Sequence, residues 1–112
     1  MSDDWTADLA IGDVKIKGYL LNPDQPDNKG KAKFFFSRGF SAEAIEPLIH
    51  ALFEHGKQSN LVREMPTGFG TKYVYKGPLK AADGTTPYVR SVWHKEDGDF
   101  RRILVTPYPL YP

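Results

Sequence analysis

Eight side chains of this sequence form a cationic and hydroxyl set suited to phosphodiester chemistry: Lys31, Lys33, Lys72, Tyr73, Arg90, His94, Thr106 and Tyr108. Cleaving RNA without a metal requires three things. The 2′-hydroxyl must lose a proton, the leaving 5′-oxygen must gain one, and the crowded phosphorane needs positive charge beside it. His or Lys can serve as acid or base, Arg and Lys stabilise the charge, and Thr or Tyr can hydrogen-bond the phosphate. In the segment Tyr88–His94, strand alternation sends Arg90, Val92 and His94 to one face and Val89, Ser91 and Trp93 to the other. If Val89 and Trp93 meet helices, Arg90 and His94 share the open face, where Lys72 and Thr106 from neighbouring strands can join them. The alternative is that these residues are ordinary solvated positions on the outer face of a half-buried sheet.

Other chemistries find less support. There is no cysteine, which removes a disulfide framework, a thiolate metal site and a cysteine nucleophile together. The three histidines, His50, His55 and His94, form no HExxH motif, and His50 and His55 fall on different helix faces. No metal and no cofactor is expected. Gly68-Phe69-Gly70-Thr71-Lys72 lacks the Walker spacing and precedes a strand, so no helix N-terminus would face a phosphate there. Ser91 lies inside a strand-like run rather than on a G-x-S-x-G elbow.

The elements that must position such a set are legible in outline. A chain of 112 residues fits one domain, 1–112, with residues 1–12 read as a flexible N-terminal segment. Seven Phe, six Tyr and two Trp supply enough ring area for a core in a chain this short. No apolar run approaches the ~20 residues of a membrane span, and the acidic start has no signal-peptide character. Export would need another route or a larger parent chain, and no membrane partner is expected. Net charge is only +1, yet Lys29, Lys31, Lys33 and Arg38 cluster while Asp3, Asp4, Asp8 and Asp13 lie together near the start.

Asp13–Leu21 fits neither the helical nor the strand period, and Asn22–Asn28 is a proline-rich turn. Asn28 is the expected cap of a helix through Lys31–Phe36 that ends near Gly39. Ser41 caps a second helix whose apolar face is Ile45, Leu48, Ile49, Leu52 and Phe53, and Gly56 stops it. Pro47 moves the regular part of that helix toward Glu46. Strands follow at Leu61–Met65, Lys72–Lys76, Tyr88–Trp93 and Arg102–Thr106, with turns at Asp83-Gly84 and Asp97-Gly98. Pro107 and Pro109 suit a sheet edge or an extended tail. The expected fold class is α+β, with N-terminal helices packed on one face of a C-terminal antiparallel meander of about four strands.

The wording of the chain adds to this. Leu20-Leu21-Asn22-Pro23-Asp24-Gln25-Pro26, Lys31-Ala32-Lys33-Phe34-Phe35 and Gly39-Phe40 resemble a small bacterial domain-of-unknown-function family with the pattern LLNPxHP…KAxFF…GF. The likeness continues through Gly70–Val74, Gly77-Pro78-Leu79, Asp83-Gly84, Val89–Trp93 and Leu104–Pro109. Gln25 stands where the pattern has His, and an amide can hydrogen-bond but cannot carry a proton. The helix-then-sheet order and the LVTxYP ending in turn look like the ribonuclease superfamily containing barnase, EndoU, colicin D and RelE, whose members are often toxin domains.

That resemblance implies a toxin-type, metal-independent ribonuclease or RNA-binding domain. Arg90 and Lys72 would clamp phosphate, Thr106 and Tyr108 would orient it, and Lys31 or His94 would move protons. Lys33 and Tyr73 would contact substrate. It further implies RNA and a cognate inhibitor protein as partners, and cytoplasmic action after delivery by a secreted system. Two rivals remain: a non-catalytic interaction module of immunity or accessory type, docking through the proline-rich tail 107–112, and a small-ligand binder with a pocket between helix and sheet.

Overall fold

The computed structural model describes residues 9–11, 21 and 30–110. The elements run β1 (Leu9–Ala10), α1 (Lys31–Ser37), α2 (Glu46–His55), a short 3₁₀ turn (Gln58–Asn60), β2 (Leu61–Pro66), β3 (Gly70–Pro78), β4 (Tyr88–Glu96) and β5 (Arg102–Pro109). The readings of Asp13–Leu20 and of Asn22–Asn28 lie outside the described residues.

Helix α1 begins two residues later than expected, with Gly30 as its N-cap rather than Asn28. Its end is set by backbone geometry. Gly39 takes φ +90°, its N–H donates to the carbonyl of Phe36, and the Phe40 N–H reaches back to the carbonyl of Phe35 at 3.1 Å. This pair of bonds is a Schellman stop, and the usual apolar contact accompanies it: the Phe35 and Phe40 rings meet edge to face at 6.0 Å.

In α2 the sequence reading of Pro47 holds. Residues Ser41–Ala44 form a bridged turn and the regular helix opens at Glu46, where proline costs nothing because first-turn N–H groups have no helical partner. Leu48, Ala51, Leu52 and His55 are buried, a stripe at i, i+3, i+4 and i+7.

Strands β2 to β5 form the expected antiparallel meander, and the sheet order is β1-β5-β4-β3-β2. Leu9–Ala10, from the segment read as a flexible N-terminus, add a short parallel strand opposite Arg102 and Ile103 of β5. Each antiparallel strand runs longer than its apolar pattern, because pairing continues into Gly77-Pro78 and into Pro107–Pro109. The described part of the proline-rich ending, 107–110, is therefore paired into the sheet rather than a free docking tail. Pro107 is fully buried opposite Ser91, and the Leu110 N–H donates to the Tyr88 carbonyl. Among the described residues β1 pairs with Arg102 and Ile103 alone, so the missing proline N–H groups of the Pro107–Pro109 half interrupt no described pairing on that side of β5.

The core joins Phe34, Phe35 and Phe40 from α1 and its stop, Leu48 and Leu52 from α2, and Tyr73, Tyr75, Val89, Trp93 and Leu104 from the sheet. The loop Leu79–Pro87 closes the end of the core, held by the Asp83 N–H on the Arg38 carbonyl and by Arg38 Nη1 donating to Thr85 Oγ1.

Candidate functional site

Alternation along β4 sorts the chemistry. Val89, Ser91 and Trp93 face the core, and their partners on β3 are Gly77, Tyr75 and Tyr73. On this side His55 is sealed at 1% exposure, with Nε2 2.7 Å from the Val89 carbonyl and 3.2 Å from that of Gly77. Two acceptors facing Nε2 require the proton to sit there, so Nδ1 accepts from the Ser91 hydroxyl at 2.7 Å. Ser91 in turn accepts from the Trp93 indole N–H at 2.9 Å. Burial holds the His55 pKa below its ordinary value, and the two carbonyls only partly oppose that. A serine–imidazole pair thus exists, but with both members inside the core it pins α2 to the sheet and offers no nucleophile.

Tyr73 belongs to this side as well. Its ring lies opposite Trp93 and 4.1 Å beneath the Arg102 guanidinium, while Arg102 Nη1 donates to Tyr75 Oη at 2.7 Å. The period of the strand separates Tyr73 from Lys72, so it does not join the cationic set. Burial raises the Tyr75 pKa and the adjacent Arg102 opposes the rise.

The opposite face carries Tyr88, Arg90, Val92, His94 and Glu96 of β4. Register places Lys76 and Tyr108 on either side of Arg90, Val74 and Thr106 beside Val92, and Lys72 and Ile103 beside His94. Arg63 of β2 pairs with Val74 on the same face. Four cationic strand residues therefore share this face, and among the described strand residues its one carboxylate is Glu96, at the far end. A net charge of +1 conceals the asymmetry.

Two clusters divide this face. In the first, Lys31 Nζ at the start of α1 donates to Thr106 Oγ1 at 2.6 Å, and the Arg90 guanidinium lies 5.5 Å over the Tyr108 ring. Among the described residues the buried Arg90 Nε has no hydrogen-bond partner, a position that native proteins rarely leave unexplained. In the second, His94 Nε2 is 3.0 Å from Thr67 Oγ1 and its ring sits 4.8 Å from that of Phe69, with Lys72 alongside. His94 lies four residues along the strand from Arg90, about 13 Å, and the intervening Val74 and Val92 are buried. The sequence set is thus split: Lys31, Arg90, Thr106 and Tyr108 come together, while His94 and Lys72 stand apart. Lys33 is exposed on α1, two residues and roughly half a turn from Lys31.

Sequence reasoning passed over Tyr88, Lys76 and Arg63. The period that selected Arg90 also selects Tyr88, and the period that selected Lys72 also selects Lys76. Arg63 had no such signal, because a bulge at Val62 shifts its register. Among the described residues no three His, Asp or Glu side chains converge as metal ligands. No described helix is long and apolar enough to cross a membrane.

Fold and face together define a small α+β domain that displays a basic sheet surface backed by an aromatic core. A family model described as a domain of unknown function, DUF6883, matches residues 4–111, and the chain belongs to that family. No curated protein matches it. Among solved structures it is similar to a chain of a contact-dependent growth inhibition toxin–immunity protein complex from Klebsiella pneumoniae 342. The TM-score is 0.69 at 14% identity, covering 96% of this chain and 97% of that one. At that identity the likeness establishes a shared fold.

Proposed function

We propose that this domain is a toxin-type endoribonuclease that works without a metal, with Lys31, Arg90, Thr106 and Tyr108 as its site. The observation that carries the reading is the Arg90 guanidinium, set over the Tyr108 ring with Nε unpartnered among the described residues, two strand residues from the Lys31–Thr106 pair. Two cations and two hydroxyls meet beside the half of β5 that no other described strand flanks on its outer side. The 2′-hydroxyl attacks phosphorus and loses its proton to solvent water, the P–O5′ bond breaks, and Lys31 donates a proton to the departing 5′-oxygen. Arg90 stabilises the charge of the phosphorane, and Thr106 and Tyr108 orient its oxygens. His94 is too distant for proton transfer at this centre and Lys72 too distant to clamp the same phosphate. The fold shared with a chain of a toxin–immunity complex supports a toxin-type role.

The test is cleavage of total RNA and a tRNA pool in EDTA, with Arg90→Ala, Lys31→Met and Lys72→Ala alongside. Circular dichroism would confirm that each variant folds. Discrete products with cyclic phosphate ends, lost in Arg90→Ala and Lys31→Met but retained in Lys72→Ala, are expected. No cleavage at high protein concentration, with or without magnesium, would refute the reading.

A second reading, a protein-binding module of immunity type, is favoured by one feature. Phe69, Phe100, Ile103 and Val105 are exposed at 64%, 67%, 41% and 41% around the two turns at one end of the sheet. A partner retained on the protein in high salt, together with no RNA cleavage, would select it, since nucleic-acid contacts weaken steeply with salt.

A further inference from the structure

Beside the Arg90 cluster stands a residue with no role in the chemistry above. Tyr88 opens β4 on the same face as Arg90, two residues away, which places the two side chains about 7 Å apart. It is 59% exposed although it is a large ring. Its cross-strand partner is Pro78, a flat and rigid neighbour, and the adjacent pair on the same face is Lys76 opposite Arg90. An open ring, a lysine, the Arg90 guanidinium and the Lys31 ammonium thus form one continuous patch at this end of the sheet.

We infer that Tyr88 and Lys76 form a nucleotide subsite next to the scissile phosphate, with a base stacked on Tyr88 and the neighbouring phosphate on Lys76, so that the substrate is single-stranded or looped RNA. The inference rests on the ribonuclease reading and deepens it by naming the substrate class. Its physical basis is the geometry of a polynucleotide. Successive phosphates of a single strand are separated by a distance close to that between alternate residues of a β-strand, so a chain held at Arg90 presents its next base and phosphate over Tyr88 and Lys76. Stacking demands an unpaired base, because the faces of a base in a duplex are already covered. Cations alone would bind duplex and single strand through the same phosphates; the exposed ring is what discriminates.

The probe is a short fluorescein-labelled 2′-O-methyl oligoribonucleotide, which lacks the attacking hydroxyl and so reports binding without cleavage. Anisotropy titrations at several salt concentrations would compare the wild type with Tyr88→Ala, Tyr88→Phe and Lys76→Gln, and single strand with duplex. Tyr88→Ala should weaken single-strand binding by about 5- to 150-fold with an unchanged salt slope, and Tyr88→Phe should restore it. Lys76→Gln should lower the slope of log K against log salt by about 0.7. Tyr88 is largely exposed, so its variants are not expected to unfold. If Tyr88→Ala binds as the wild type does, or if duplex binds as tightly as single strand, the inference fails even though cleavage and its dependence on Arg90 persist. If the wild-type protein neither binds nor cleaves RNA, the ribonuclease reading falls and takes this inference with it.

Discussion

Lowering the pH from 7.5 to 5.5 should destabilise the fold through one residue, His55. Buried at 1% exposure, its imidazole is locked in the Nε2–H tautomer by the Val89 and Gly77 carbonyls, and Nδ1 is occupied by the Ser91 hydroxyl. A second proton would have to enter at Nδ1, turning an acceptor into a donor and placing a charge in an apolar core. Burial accordingly sets the folded pKa below the ordinary histidine value of about 6.5. Because the unfolded chain binds the proton more readily, stability is fully present above the unfolded pKa. It declines as pH falls below about 6.5 and stops declining only below the folded pKa. Within that window the limiting slope is about 1.4 kcal/mol per pH unit, a substantial share of the ~5–15 kcal/mol that stabilises a typical domain.

The lowered pKa values of Asp83 and Asp99, held by the hydrogen bonds of Thr85 and the hydrogen bonds and charge of Arg101, act in a separate acid window below about pH 4. Urea unfolding at several pH values, followed by the fluorescence of Trp93 and Trp5, measures the slope. His55→Gln should remove most of the dependence between pH 6.5 and 5.5, while costing about 1–3 kcal/mol at pH 7.5 from the lost Ser91 bond and imperfect packing. His50→Gln, on the exposed side of α2, is the control. A wild-type stability that stays level from pH 7.5 to 5.5, or a His55→Gln protein that keeps the full slope, would refute the argument.

Three further outcomes are expected. Gly39→Ala should destabilise by at least about 1–2 kcal/mol in thermal unfolding, because its φ of +90° is strained for an L-residue and the new methyl would sit 2.9 Å from the Asp83 amide nitrogen. Tyr75→Phe should cost about 1–2 kcal/mol in urea unfolding, since Arg102 loses its 2.7 Å acceptor while its stack on Tyr73 remains; no change would show the bond to be idle. Arg90→Lys should recover little of the cleavage lost in Arg90→Ala, because an ammonium neither stacks flat on Tyr108 nor presents a planar fork to phosphate, and kcat read in the EDTA assay checks this.

Much of this architecture follows from local rules. Alternation in Tyr88–Trp93 and Lys72–Lys76 fixes strands because β-branched and aromatic residues suit a pleated half-buried surface. Glycines at 39, 84 and 98, all at positive φ, end or turn the chain where no side-chain-bearing residue does so comfortably. Pro47 sets the start of α2 through its missing N–H, and the split of β4 into an Arg90 face and a Trp93 face follows from the two-residue period.

Pairing across the chain decided the rest. Nothing near Leu9–Ala10 announces a strand, since two residues gain that conformation only from the β5 edge they meet. His55 carries no local sign that it will be a core hydrogen-bond hub, because its partners are 22 to 36 residues away. The site divides for the same reason. Sequence alternation could place Arg90, His94, Lys72 and Thr106 on one face, but which of them touch depends on register, on the bulge at Val105 in β5, and on where α1 brings Lys31. Residue type and period determine which way each side chain points; only the tertiary pairing of strands and helix determines which of them stand within reach of one another.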